Sequence, residues 1–199
     1  EYGIQFSTCL SHPRLRRYYE ESARAVRDWI SPDAWFLSAD EFRVECRCEL
    51  CRRRDTDMAH KYAATLWDQR NAIRRLAPDA EILFWSDMAD ENHNARDRFC
   101  KCRTTYRGLA DLLPKDMVAV PWWTEKAQAS CDFFASRGFG VMPGAYYDKR
   151  TVEATQKDAR DWCAALATTP TARGIMYTAW YERYDMLGVF AETVKGDAE

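Results

Sequence analysis

Six times along this chain a short apolar run ends in an acidic or aromatic cluster: Ser7-Thr8-Cys9, Asp40-Glu41, Trp85-Ser86-Asp87, Trp122-Trp123, Tyr146-Tyr147-Asp148 and Trp180-Tyr181-Glu182. The runs are too short for helices, and most are followed by a helical pattern. Their polar and aromatic residues gather at the C-terminal end of each run. Parallel β/α proteins place their sites in this way, because ligands bind beyond the carboxyl ends of the strands. Rings beside carboxylates suit a sugar, whose apolar C–H face stacks on an aromatic while its hydroxyls hydrogen-bond to acids. The pattern therefore predicts a carbohydrate site.

Laid out in order, the sequence predicts strands over 2–9, 34–40, 81–87, 117–123, 141–147 and 174–181, with helices over 13–30, 57–76, 125–137, 151–167 and 184–194. Ser11 is placed to cap the first helix with Pro13 in its first turn, and Leu15, Tyr18, Tyr19, Val26, Trp29 and Ile30 supply its buried stripe. Asp55 or Thr56 caps the second helix, and Gly138 suits a left-handed residue after the third. Pro143 removes one ladder donor and predicts an irregularity in the fifth strand. The stretch 89–115 is the longest without a pattern, and a loop of that length in a compact domain carries local structure or function.

These elements make about six parallel βα units. Open sheets and closed barrels share the alternation, but an open sheet focuses its chemistry at one switch point, whereas here every strand end is decorated. A barrel converges all its strand ends on one axis. A complete barrel has eight units in roughly 250 residues, so 199 residues read as one α/β domain over 1–199, a partial TIM-like (β/α) barrel. A hydrophobic content of 47% is enough for its core. Such a barrel would leave two raw sheet edges, which predicts a homodimer.

With the strand ends set out, their order resembles the catalytic barrel of the β-N-acetylhexosaminidases and the hexosaminidase-like domains of bacterial proteins. Phe36-Leu37-Ser38-Ala39-Asp40-Glu41 resembles the acidic pair that ends the family's fourth strand. Leu83-Phe84-Trp85-Ser86-Asp87-Met88 resembles the tryptophan end of the fifth, Pro121-Trp122-Trp123 the aromatic pair after the sixth, and Ala179-Trp180-Tyr181-Glu182 the Trp-x-Glu of the eighth. On this match the chain runs from the third strand to the eighth. Two departures stand out: Phe36-Leu37-Ser38-Ala39 replaces the usual His-x-Gly-Gly, and the first two strands, which carry a sugar-binding arginine, have no counterpart.

The resemblance implies a retaining, substrate-assisted hydrolase of N-acetylhexosaminides that needs no cofactor. Glu41 would be the general acid/base, and Asp40 would orient the acetamide that attacks the anomeric carbon. Trp85, Trp123, Tyr146 and Trp180 would wall the pocket, and Glu182 would accept from a sugar hydroxyl. The plainer reading of Asp40 and Glu41 is a strand-end pair that caps a turn or pairs with Arg43 or Arg47. Asp87 is an alternative carboxylate or a helix cap. A non-catalytic carbohydrate-binding or structural barrel remnant is the competing function.

Eight cysteines need their own account. Cys46-x-Cys48-x-x-Cys51 follows one predicted strand and Cys100-x-Cys102 the next, while Cys9, Cys131 and Cys163 stand apart. Neighbouring βα loops share a face, so Cys48, Cys51, Cys100 and Cys102 form a candidate tetrahedral structural zinc site. A disulfide between the loops and free thiols are the alternatives. His93 is a substitute ligand or a solvated loop residue.

A net charge of −2 with interspersed signs gives no general argument for nucleic acid or an anionic membrane. Arg52-Arg53-Arg54 reads as a solvated cluster before it reads as a phosphate site. No apolar stretch approaches the roughly 20 residues that span a bilayer, and Glu1-Tyr2-Gly3 shows no signal-peptide pattern. The chain therefore reads as soluble, its compartment left open.

Overall fold

Helices and strands alternate along the chain and the strands pair in parallel. The computed structural model describes residues 7–44, 48–54, 56–100, 102, 104–146, 148–181 and 184–196. Of the strand predicted over 2–9, residues 2–6 lie outside the described residues, and Ser7 to Cys9 are irregular.

Helix α1 (Arg14–Ile30) is entered through Pro13, whose φ of −63° already suits a helix; the Ser11 hydroxyl makes no cap bond. It packs Leu15, Tyr19, Ala23 and Val26 on the core, whereas Tyr18 and Ile30 are exposed and Trp29 is 86% exposed. The buried stripe is thus narrower than the sequence predicts. Helix α3 (Met58–Arg74) starts at Asp57, whose carboxylate accepts the His60 N–H at 2.8 Å, one residue beyond the predicted cap. A short helix α2 (Glu49–Arg53) lies in the loop before it.

Strand β1 (Ala34–Leu37) pairs with β2 (Glu81–Trp85), and β2 pairs with β3 (Val118–Val120). Between β2 and β3 lies the long loop, which contains helix α4 (Leu109–Leu112). The loop is tied by its own bonds: Glu91 accepts the Gly108 N–H at 3.1 Å, and Arg107 donates to the Arg96 carbonyl at 2.8 Å. After β3, a single 3-10 turn (Thr124–Lys126) leads into α5 (Ala127–Ala135), and Gly138 takes the predicted left-handed conformation with φ 83°.

The predicted strand over 141–147 is two short strands, β4 (Gly140–Val141) and β5 (Gly144–Tyr146). Pro143 lies in the gap and, lacking an N–H, cannot donate to the ladder. Bonds on either side carry the sheet across it. Met142 N–H donates to Ala119 O at 3.0 Å, Gly144 N–H to Pro121 O at 2.9 Å, and Met176 N–H to Pro143 O at 2.9 Å. Helix α6 (Val152–Ala167), capped by Thr151, leads to β6 (Met176–Thr178), which pairs with β5, and α7 (Leu187–Gly196) follows. Neighbouring strands are therefore consecutive in sequence, and no described pairing reverses the order.

The two faces of this sheet differ. Ile82, Phe84, Ala119 and Val141 point to one face and join a single core with residues from α1, α3, α4, α5, α6 and α7. Leu83, Trp85, Val118 and Val120 point to the other, where the residues packed on them are Trp122, Met142 and Met176 from the strands and their ends. Alternation on the pleat produces this split. On this second face Phe36 packs at a tilt on Trp85, 4.8 Å between centroids, yet is 42% exposed. A Cβ on Gly144 would fall 2.6 Å from the Trp85 ring, so glycine is what lets that indole lie across β5.

Candidate functional site: a cleft at the strand ends

Beyond β1 the chain turns abruptly. Ala39 and Glu41 both have left-handed backbones, with φ 66° and 37°, a conformation that costs a non-glycine residue roughly 1–2 kcal/mol. These turns place the adjacent Asp40 and Glu41 on the same cleft, where a regular strand would send them to opposite faces. From the other side β6 ends at Thr178, and the Trp180 N–H is held by both carboxylate oxygens of Asp148, at 3.1 and 3.0 Å. From the middle, Trp122 lies two residues beyond β3.

These residues bound a cleft of about 460 Å³ lined by Asp40, Glu41, Arg43, Trp122, Trp180 and Tyr181. That volume is in the range of small-ligand sites. Trp180 is 49% exposed and Tyr181 79% exposed, so the aromatic wall is open to solvent. Trp85 is buried, its ring 5.8 Å from that of Trp180. The Arg43 guanidinium pairs with the Glu41 carboxylate, as the plainer sequence reading allows.

Behind the acidic pair sits Asp87, fully buried two residues beyond β2. Its Oδ2 accepts the Glu41 backbone N–H at 3.0 Å and the Asn94 amide at 2.7 Å, and the Trp122 indole also donates to this carboxylate. Its Oδ1 is buried without a partner among the described residues. Burial above all, with the nearby charge of Asp40, pushes the Asp87 carboxyl up to about 7 against the pull of those three donors.

The sequence-predicted residues divide. Asp40, Glu41 and Trp180 come together on the cleft, with Trp85 against the Trp180 ring. Trp123 does not line it; its ring lies 5.0 Å from His93 and under Arg96 and Lys126, in a neighbouring depression of about 290 Å³. Trp122 takes the wall position instead, because adjacent residues of an extended segment face opposite ways. Glu182 and the side chain of Tyr146 lie outside the described residues. Trp122, Tyr181 and the anchoring role of Asp87 were missed in sequence; their signal was only adjacency to the chosen residues. His93 packs edge-on against Trp122 at 4.4 Å, and burial with the charge of Arg96 holds its pKa down at about 4, so it is neutral at pH 7.

The cysteines group differently from the predicted set. Cys9 Sγ lies 3.1 Å from Cys48 Sγ and 3.4 Å from Cys51 Sγ, and the three sulfurs are all within 4.8 Å of one another. Cys48 stands at the start of α2, and Cys51 is fully buried one turn on. Burial first, then the neighbouring thiols, pushes Cys9 up to about 12, while the Ser11 backbone N–H donated to its sulfur favours the thiolate. A divalent cation would offset the cost of deprotonating three adjacent thiols.

Cys102 is not in this group: its thiol donates to the Phe42 carbonyl at 3.2 Å and lies 3.7 Å from the Tyr106 hydroxyl. Cys100 is exposed and also outside it. Among the described residues, the thiols near enough to one another to hold a metal ion are those of Cys9, Cys48 and Cys51, which include Cys48 and Cys51 of the predicted four. The thiol that joins Cys48 and Cys51 comes from the segment ahead of α1, not from the loop that follows β2. Cys46 lies outside the described residues.

No family model matches the chain, and no curated protein matches its sequence. Among the described residues no helix is long and apolar enough to cross a membrane.

Proposed function

We propose that the cleft binds a carbohydrate bearing an N-acetylhexosamine, and that the chain is a glycoside hydrolase-like domain of the β-N-acetylhexosaminidase type. The observation that carries this reading is the convergence of the Asp40–Glu41 pair with Trp122, Trp180 and Tyr181 on one cleft beyond the strand ends. Sugars ask for this combination: rings for the C–H face, and carboxylates and a guanidinium for the hydroxyls. Consecutive parallel strands that, among the described residues, pack helices on one face support a partial barrel wall, since a barrel keeps its helices outside and its strand order sequential.

On this reading Glu41 protonates the leaving oxygen and later serves as base. Asp40 orients the substrate's acetamide for attack, so no cofactor enters the reaction. Arg43 must release Glu41 before the acid can act. Turnover of 4-nitrophenyl N-acetyl-β-D-glucosaminide tests this directly. Glu41→Gln is expected to lower the rate by roughly 10²- to 10⁴-fold with the fold intact, since the amide cannot donate that proton. Wild-type turnover in the variant would reject the assignment.

The competing function, a carbohydrate-binding remnant without catalysis, draws on the same Arg43–Glu41 pair, which occupies the acid with a cation. Saturable binding of N-acetylglucosamine without turnover would favour it.

A second site accompanies the cleft. The Cys9–Cys48–Cys51 group is read as the seat of a structural zinc ion, because three converging thiols with a CxxC turn supply the soft ligands that zinc prefers. Purified protein is expected to carry about one zinc per chain; metal-free protein with all three thiols freely reactive would reject it. The sheet order begins at β1, so self-association into a homodimer is proposed from its open edge among the described residues, which sedimentation would test.

A further inference from the structure

We propose that Asp87 is the positioning residue of the cleft, a buried carboxylate that holds the Glu41 backbone and the Trp122 ring in their places against bound sugar. Its consequence for turnover rests on the carbohydrate reading of the cleft; its geometry does not.

Three strand ends meet on this one side chain. Asp87 follows β2, the Glu41 N–H reaches it from beyond β1 at 3.0 Å, and the Trp122 indole reaches it from beyond β3. Asn94, from the long loop, adds its amide at 2.7 Å. The Glu41 contact matters most, because that residue sits in a left-handed conformation that persists only where its surroundings hold it. Trp122 is likewise a wall whose edge is pinned from beneath. A carboxylate suits the task better than a neutral acceptor, since charge-assisted hydrogen bonds are about twice as strong.

Among the described residues Oδ1 has no donor, and it is sealed from solvent. Buried acceptors are seldom left so. A proton on this oxygen would leave the Glu41 and Asn94 donors in place, since both bond Oδ2. Protonation would then weaken their hold without breaking the arrangement. The titratable groups whose charge acts on Asp87 are Asp40 from the β1 end and Tyr62 from α3; His93 lies beyond the Trp122 ring. His93 titrates near 4 and the Tyr62 hydroxyl well above its ordinary range, so neither interferes near neutrality.

The test follows the Trp122 indole N–H by ¹⁵N-edited NMR between pH 5 and pH 9. In the wild-type chain this resonance is expected to move downfield as pH rises through about 7, where the Asp87 carboxylate ionises. Asp87→Asn keeps an acceptor but cannot ionise, so the step should vanish, whereas it should survive in Asp40→Asn and Glu41→Gln. A pH-independent wild-type resonance, or a step that persists in Asp87→Asn, overturns the proposal.

With 4-nitrophenyl N-acetyl-β-D-glucosaminide as probe, Asp87→Asn should raise KM roughly three-fold and Asp87→Ala roughly ten-fold, with kcat changing less than KM. Loss of kcat alone would make Asp87 a participant in the chemistry and overturn the positioning role. If the wild-type chain does not turn over the probe, the hydrolase reading fails and the indole titration still decides the role of Asp87.

Discussion

The two sides of the cleft are built by different means. The acidic side, beyond β1, is fastened from beneath. Glu41 is held through its backbone by Asp87, Phe42 accepts from the buried Cys102 thiol, and the same loop ends at Cys48 in the thiol group. The aromatic side, beyond β6, has Trp180 held through its N–H by Asp148, and both Trp180 and Tyr181 stand open to solvent. A carboxyl group that must hand over a proton needs placement to a fraction of an ångström, whereas a ring that stacks on a sugar face tolerates sliding. Rigid acids facing an adjustable wall are what the proposed sugar site would require.

If the comparison holds, the acidic side should fail first when its fastenings are removed. Replacing Cys51 by Ser, or chelating the proposed zinc, should free the segment from Cys48 to Arg53 and the Cys9 turn while leaving the sheet folded. Metal release costs a structural site most of its local order. Hydrogen exchange should rise across α2 and residues 38–44, with little change at Trp180. An equal rise on both sides would break the distinction.

A smaller but global effect is expected at the one residue that serves both sides. Trp85 contacts Phe36 near the acidic end and Trp180 at the aromatic end, and it lies against Gly144. Gly144→Ala would drive a Cβ into that indole. Overpacking of this kind costs about 1–3 kcal/mol. Thermal melting should report the loss, and Trp180 should become more mobile, because its stacking partner has moved. An unchanged melting temperature would mean the indole has room to shift.

Much of this architecture was legible in the sequence. Alternating apolar runs and helical stripes predicted the parallel strands, and Pro143 and Gly138 marked an interruption and a helix end that both occur. Strand ends were overrun by two to three residues, because apolar character continues past the last ladder bond in Ala39, Trp122 and Tyr181. Which neighbour of a pair faces the cleft was not legible: Trp122 and Trp123 have the same chemistry, and only the local twist selects between them. Asp40 and Glu41 share one cleft through two left-handed residues that composition does not reveal, since neither Ala39 nor Glu41 is a glycine. Cys9 was invisible as a member of the thiol group because its partners lie 39 and 42 residues away. Spacing identifies ligands within a loop, but contact between loops depends on which strands are neighbours.

On the aromatic side, Asp148→Ala should release the Trp180 backbone without touching the acids. Two charge-assisted contacts to an exposed N–H are worth on the order of 1 kcal/mol here. Binding of N-acetylglucosamine should weaken several-fold, while the Trp122 indole resonance stays where it is. A shift at Trp122 would show the two sides to be coupled through Trp85 after all.

The smallest net effect is in the pH dependence of stability, because two buried groups near Trp122 pull in opposite directions. Asp87 has its folded pKa raised from 3.8 to about 7, so the folded chain holds its proton more tightly than the unfolded one. The stability it contributes is present below 3.8 and is lost as pH rises through about 7. His93 has its folded pKa lowered from 6.5 to about 4, so its contribution is present above 6.5 and is lost as pH falls through about 4. Between 4 and 6.5 the slopes oppose, and wild-type stability should be nearly flat. His93→Gln removes one slope and should leave stability that falls with rising pH across this window; Asp87→Asn should leave the reverse. Denaturant titrations at pH 4.5 and 6.5 would separate the two, and parallel profiles for the two variants would show that neither group titrates as its burial requires.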